Sequence, residues 1–241
     1  MRRLQKAVEQ SIEALGALQR AGVTQVTVSP GTLEALPVPP RTRRAPAALA
    51  LETGLDRLRA RALVCARCAE LAGCRTQVVF GVGNPRAALM FIGEAPGRDE
   101  DLEGEPFVGR AGELLTKIIQ AMGYKRHEVY IANVLKCRPP ENRTPLPDEV
   151  QNCLPYLVEQ ITLVQPQVIV ALGAVAVRAL LDVQLGITKM RGNWYEFHGI
   201  PIMPTFHPAY LLRNPGAKRE VWQDMQAVME RLGKKDSCEK S

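Results

Sequence analysis

Four cysteines and three glycine- or proline-punctuated segments carry most of the reactive side chains in this sequence. Cys65 and Cys68 are separated by two residues, Cys137 and Cys153 by fifteen. A Cys-x2-Cys pair on a turn can place two thiolates on one metal, and a second pair completes the four ligands that zinc or an iron–sulfur cluster requires. Spacing alone also admits a set of inert buried thiols, and among metals it favours zinc over iron. Cys74 fits such a site less well, and Cys238 lies in a polar tail and is expected to be free. Six cysteines in a reducing compartment point to metal ligation more than to disulfides.

The first segment runs Gly93-Glu94-Ala95-Pro96-Gly97-Arg98-Asp99-Glu100-Asp101 and continues through Phe107 to Gly112. Glycine permits tight turns and close approach of backbone to a ligand. An apolar Phe107 in an acidic loop needs a partner, either a stacked ring or the core. The second segment is Asn133-Val134-Leu135-Lys136-Cys137-Arg138-Pro139-Pro140, where a strand-end Asn133 offers an acceptor and two donors. An isolated asparagine there is more often a turn former. The third is Thr205-Phe206-His207-Pro208-Ala209-Tyr210-Leu211-Leu212-Arg213. His207 can donate a hydrogen bond or titrate. Leu211 and Leu212 beside Arg213 form an apolar tip next to a cation, suited to wedging into a base stack or to starting a packed helix.

These segments must be held by regular elements. Short apolar runs at Ala88–Ile92, Val129–Leu135 and Val168–Leu172 read as buried strands, and Tyr195–Phe197 with Ile200–Met203 as a hairpin. Helices are expected over about 52–63, Gly112–Met122, Asp148–Val164, Ala174–Leu181 and about 218–232. Strands alternating with helices imply a parallel sheet covered on both faces, with functional loops at the carboxyl ends of its strands. Ahead of this domain (52–233), residues 1–28 are expected to hold an amphipathic helix, built on Leu4, Val8, Ile12, Leu15 and Leu18. Residues 29–51 form a Pro/Arg-rich linker, and 234–241 a polar tail.

The 241 residues suit one α/β domain with an appendage, and 46% apolar content supports a proper core. A formal charge of +6 favours polyanionic partners without naming them. No apolar run approaches the roughly 18 residues of a membrane span, and the N-terminus has no signal-peptide core. The expectation is a cytoplasmic, nucleoid-associated monomer without membrane contact, its N-terminal helix free to meet replication or repair proteins.

The stretches GEAPGRDEDLEGEPFVGRAG, YIANVLKCRPPENRTPLPDE and ITKMRGNWYEFHGIPIMPTFHPAYLLRNP, with the four cysteines, resemble the family 4 uracil-DNA glycosylases, the iron–sulfur type, from about Leu63 to Leu232. The resemblance implies a three-layer α/β/α sandwich with a short central parallel sheet. It implies a [4Fe–4S] cluster on Cys65, Cys68, Cys137 and Cys153, overturning the preference for zinc. The implied substrate is uracil-containing DNA, single- or double-stranded. Phe107 would stack on the flipped base, Asn133 would read N3–H and O4, and His207 would donate to O2. Glu94 would help hold uracil and assist water, and Glu100 would stand where thymine carries its methyl. Leu211 and Arg213 would act as wedge and backbone contact. Ala95 occupies the place of the water-activating aspartate of the best-known uracil glycosylases, a departure that the resembling family shares.

A sister subfamily that cross-links to DNA carries a basic, histidine-containing insertion here. In this chain Gly112 runs straight into Glu113-Leu114-Leu115, so ordinary turnover is expected. Two rival readings are a non-catalytic metal-stapled DNA-binding module and a glycosylase for another deaminated or damaged base.

Overall fold

The computed structural model describes residues 46–234, with side chains from Gly54 onward. The helix expected within 1–28 and the tail beyond Lys234 lie outside the described residues. The linker reading of 29–51 needs correction at its end: helix α1 spans Pro46–Leu63. Its first turn is proline followed by alanines, a good helix start despite the proline-rich surroundings. Leu55, Leu58 and Ala62 then recur at helical spacing and are buried.

Four strands form the parallel centre of the sheet: β2 (Leu89–Gly93), β3 (Tyr130–Asn133), β4 (Val168–Leu172) and β6 (Ile200–Thr205). Two short antiparallel strands, β1 (Val82–Gly83) and β5 (Tyr195–Phe197), close the edges, giving the order β1-β3-β2-β4-β6-β5. Strands β2, β3 and β4 are buried throughout and apolar except for Asn133 at the end of β3, as expected of strands covered on both faces. Met90, Ile92, Ala132, Ile169 and Ala171 enter one core with α1, α5 (Pro147–Val164) and α6 (Ala174–Leu181). Leu89, Phe91, Ile131, Val168 and Val170 enter the other, with α4 (Arg110–Ala121) and α9 (Lys218–Arg231). The result is the expected three-layer sandwich.

Four short α-helices, α2 (Ala69–Cys74), α3 (Arg98–Glu103), α7 (Ile187–Met190) and α8 (Pro208–Arg213), and three single turns of 3-10 helix complete the described chain. Because β2, β3, β4 and β6 all run the same way, the segments that follow them emerge on one edge. Gly93 pairs with Asn133, and Leu172 with Thr205, so the three chemically rich segments start side by side.

Candidate active site

The segments after β2, β3 and β6 enclose a cleft of about 500 Å³. Glu94, Glu100, Phe107, Asn133, His207 and Arg213 all line it. The floor is Gly93. A Cβ there would lie 2.4 Å from Asn133 Oδ1 and 2.4 Å from Phe107 Cζ, so only glycine lets amide and ring approach this closely.

Phe107 is held in the left-handed region at φ 57°, a conformation that costs a non-glycine residue of order 1–3 kcal/mol. The loop around it is fixed by Glu100. Glu100 Oε1 accepts from the Val108 and Gly109 amides at 3.1 and 3.3 Å, and Oε2 from the Gly97 amide at 3.0 Å. The next residue, Asp101, is buried and accepts from the Thr76 amide at 3.0 Å with each oxygen. The strain at Phe107 is therefore over-determined by its surroundings, and the ring lies 5.4 Å from that of His207.

Asn133 is 2% exposed, and its Oδ1 is buried with no hydrogen-bond partner. A buried orphan acceptor costs about 1–3 kcal/mol unless a ligand supplies the donor. Its backbone is pinned: Lys136 Nζ donates to Asn133 O at 2.7 Å, and the Val134 amide donates to Gly93 O at 2.9 Å.

His207 caps α8, its Nδ1 accepting from the Ala209 amide at 3.1 Å. An acceptor at Nδ1 leaves the proton of a neutral imidazole on Nε2. Burial, aided by the Arg213 cation, pushes its pKa down to about 4, so the ring is neutral near pH 7. Burial raises the pKa of Glu94, which Arg178 partly opposes. The site thus combines a neutral N–H donor, an unpaired acceptor, an aromatic ring and a carboxyl group in a half-dry environment.

The wedge expected at Leu211 is corrected. Leu211 is 1% exposed and belongs to the core shared with α4 and α9, because α8 turns that face inward. Leu212 and Arg213 lie on the exposed face of the same helix.

Cys68, Cys137 and Cys153 border the core on the α1/α5 side. Their thiols feel one another electrostatically: Cys137 is influenced by Cys65 and Cys68, and Cys153 by Cys137 and Cys68. Arg75 Nη1 donates to Cys137 Sγ at 3.0 Å while Nη2 holds Cys65 O at 2.8 Å, and the Lys136 amide donates to Cys153 Sγ at 3.2 Å. Such donors stabilise thiolate sulfur. Among the described residues no three His, Cys, Asp or Glu groups converge on a single ion. All-thiolate sets with N–H donors to sulfur hold zinc and iron–sulfur clusters alike, so the donor chemistry admits either. Cys74 is exposed and its Sγ donates to Glu70 O.

The family model described as the uracil DNA glycosylase superfamily matches residues 80–226. A type-4 uracil-DNA glycosylase of Archaeoglobus fulgidus is 43% identical over 189 residues, covering 75% of this chain and 94% of the relative. The chain belongs to the type-4 uracil-DNA glycosylases. The type-4 enzyme of Thermotoga maritima is 49% identical over 156 residues, 63% of this chain and 81% of its own. That of Sulfurisphaera tokodaii is 42% identical over 186 residues, 73% of this chain and 84% of its own.

Three polar side chains of this type-4 uracil-DNA glycosylase cleft received no role from sequence reasoning: Asn142, Arg143 and Tyr210. Glu141 and Asn142 are consecutive left-handed residues, at φ 52° and 56°. Arg143 clamps this turn, donating to both oxygens of Glu149 at 2.7 and 2.9 Å and to Glu70 at 2.9 Å. Polar Glu-Asn-Arg directly after Pro139-Pro140 was the available signal, since an asparagine after a proline pair suits such a turn.

Proposed function

We propose that this chain removes uracil from DNA by hydrolysing the N-glycosidic bond, leaving an abasic site for base excision repair. The single observation that carries the reading is the orphaned Asn133 Oδ1, buried beside Phe107 and the neutral His207. A base inside a duplex is out of reach, so it must be flipped out at a cost of roughly a few kcal/mol. Phe107 offers a face for the extruded ring. Asn133 Oδ1 accepts from uracil N3–H while its amide nitrogen donates to O4. Cytosine presents an acceptor at N3 and donors at the 4-position, leaving both groups of Asn133 mispaired. Unpaired buried polar groups of this kind discriminate by about 10⁴–10⁵.

As the glycosidic bond breaks, its electron pair stays on the base and the sugar becomes cation-like. His207 Nε2–H donates to O2, where negative charge grows. One preorganised donor is worth about 3–4 kcal/mol. A neutral imidazole can do this, because Nδ1 is occupied by the Ala209 amide and the remaining proton sits on Nε2, aimed at the base. Glu94 stands by for the water that attacks the sugar carbon, and Glu100, besides fixing the Phe107 loop, forms the edge that excludes a 5-methyl group. Arg213, with exposed Leu212 in place of Leu211, faces the DNA backbone and the vacated stack. No covalent protein nucleophile is assigned.

Cys65, Cys68, Cys137 and Cys153 would hold a [4Fe–4S] cluster, which when bound ties α2 to the segment after β3 and to α5. Action on DNA suits a chain associated with the nucleoid in the cytoplasm, and the reading is of a monomer with residues 1–28 available to replication or repair proteins. Among the described residues no helix is long and apolar enough to cross a membrane. The test is uracil release from single-stranded and mismatched oligonucleotides by the wild type, Asn133→Ala and His207→Ala. Loss in both variants is expected. A wild type that releases no uracil, or releases another base in preference, refutes the reading.

A further inference from the structure

Lys136 is buried at 2% exposure, yet neither of its hydrogen-bond partners is a carboxylate. Its Nζ donates to Asn133 O at 2.7 Å and to Gln160 Oε1 at 2.6 Å. Gln160, fully buried on α5, in turn donates through Nε2 to Phe80 O at 2.9 Å and to Tyr130 Oη at 3.0 Å. The Lys136 backbone amide meanwhile donates to Cys153 Sγ. One residue therefore grips the base-facing end of β3 with its side chain and a cysteine of the four-sulfur set with its backbone.

Burying an ammonium group is expensive, and an apolar side chain of the same length would fill this space without that cost. The peptide that joins Asn133, the last residue of β3, to Val134 is held at both ends: the Val134 amide donates to Gly93 O at 2.9 Å, and the Asn133 carbonyl accepts from Lys136 Nζ at 2.7 Å. The charge-assisted bond at the carbonyl is about twice as strong as a neutral one and completes the restraint on the peptide plane next to the Asn133 side chain. A shift of that plane would move Oδ1 and the amide nitrogen together, away from the edge of the base.

We propose that Lys136 is the positioning residue for Asn133, setting how tightly the flipped base is read, and that through Cys153 it joins the cysteine set to the pocket. This deepens the uracil-excision reading and rests on it. The decisive quantity is the part of the affinity that comes from the base: the ratio between binding of DNA with a non-cleavable 2′-fluoro-deoxyuridine and binding of the same DNA with a tetrahydrofuran abasic analogue. Lys136→Met removes the donor at nearly constant volume. It is expected to shrink that ratio at least ten-fold and to lower single-turnover uracil release at least as much. Affinity for the abasic analogue should stay within two-fold, with iron content and thermal midpoint measured alongside.

If Lys136→Met does not fold, Gln160→Glu carries the test. A carboxylate there draws the ammonium off the Asn133 carbonyl at nearly constant volume, giving up the Gln160 donation to Phe80 O, and should move the ratio in the same direction. A folded variant that keeps the wild-type ratio within two-fold, or loses affinity for both DNAs alike, overturns the inference. A wild type that releases no uracil instead overturns the functional reading, so the two failures are distinguishable.

Discussion

Replacing Gly93 by alanine tests the geometry of the cleft with a single methyl group. The added Cβ would sit 2.4 Å from Asn133 Oδ1 and 2.4 Å from Phe107 Cζ, about 1.0 Å short of an ordinary 3.4 Å contact. Asn133 and Phe107 are both nearly buried, and Phe107 is locked by the amides bound to Glu100, so neither can yield freely. A misplacement of about 1 Å in a preorganised site costs about 100-fold in rate. The overpacking itself costs about 1–3 kcal/mol, which a domain of this size tolerates. Single-turnover release of uracil from a single-stranded oligonucleotide should therefore fall about 100-fold, in a protein that still unfolds cooperatively. Gly186, where a Cβ would meet nothing within 4 Å, provides the control: Gly186→Ala should leave the rate unchanged. A Gly93→Ala protein that keeps its rate within three-fold would show that ring and amide do not share the base.

Other outcomes follow from the same atoms. An NMR titration of His207 should give a midpoint near 4 instead of about 6.5, and Arg213→Ala should move it upward, since a cation that disfavours the imidazolium has been removed. Because this folded-state pKa is depressed, the contribution of neutral His207 to stability is fully present above about pH 6.5. It is lost as the pH falls toward 4, which acid-unfolding curves of wild type and His207→Asn can compare. Leu211→Ala should lower stability by about 2–5 kcal/mol, whereas Leu212→Ala should change it by less than about 0.5 kcal/mol and weaken uracil release from duplex more than from single strands. On the proposed four-cysteine cluster, Cys153→Ser should lower the iron content and the visible absorption of the purified protein, measured by metal analysis and spectroscopy.

Much of the architecture was legible in the chain. Val168–Leu172 and Ala174–Leu181 match their expected bounds, because an unbroken apolar run ends at Gly173, whose φ of 90° breaks the strand before the helix begins. Alternation of such runs with helical spacing was enough to give a parallel sheet with loops on one edge. The six-residue helices α2 and α3 were not read, since less than two turns leaves no periodicity to detect. The helix at Pro46 was hidden by neighbouring prolines and arginines.

The residue types of the cleft were also there to be read: Phe107, Asn133, His207, Glu94 and Glu100 are local features of three segments, and all five line one cavity. Sequence placed them in loops after strands, because backbone preference and hydrophobic period are local quantities. Which way Leu211 points, which nitrogen of His207 holds its proton, that Asn133 Oδ1 lacks a partner, and that Lys136 reaches the carbonyl of Asn133 are through-space facts. They arise only when β2, β3 and β6 lie in register and helices close over them, since a hydrogen bond depends on distances of a few tenths of an ångström between chain segments far apart in sequence.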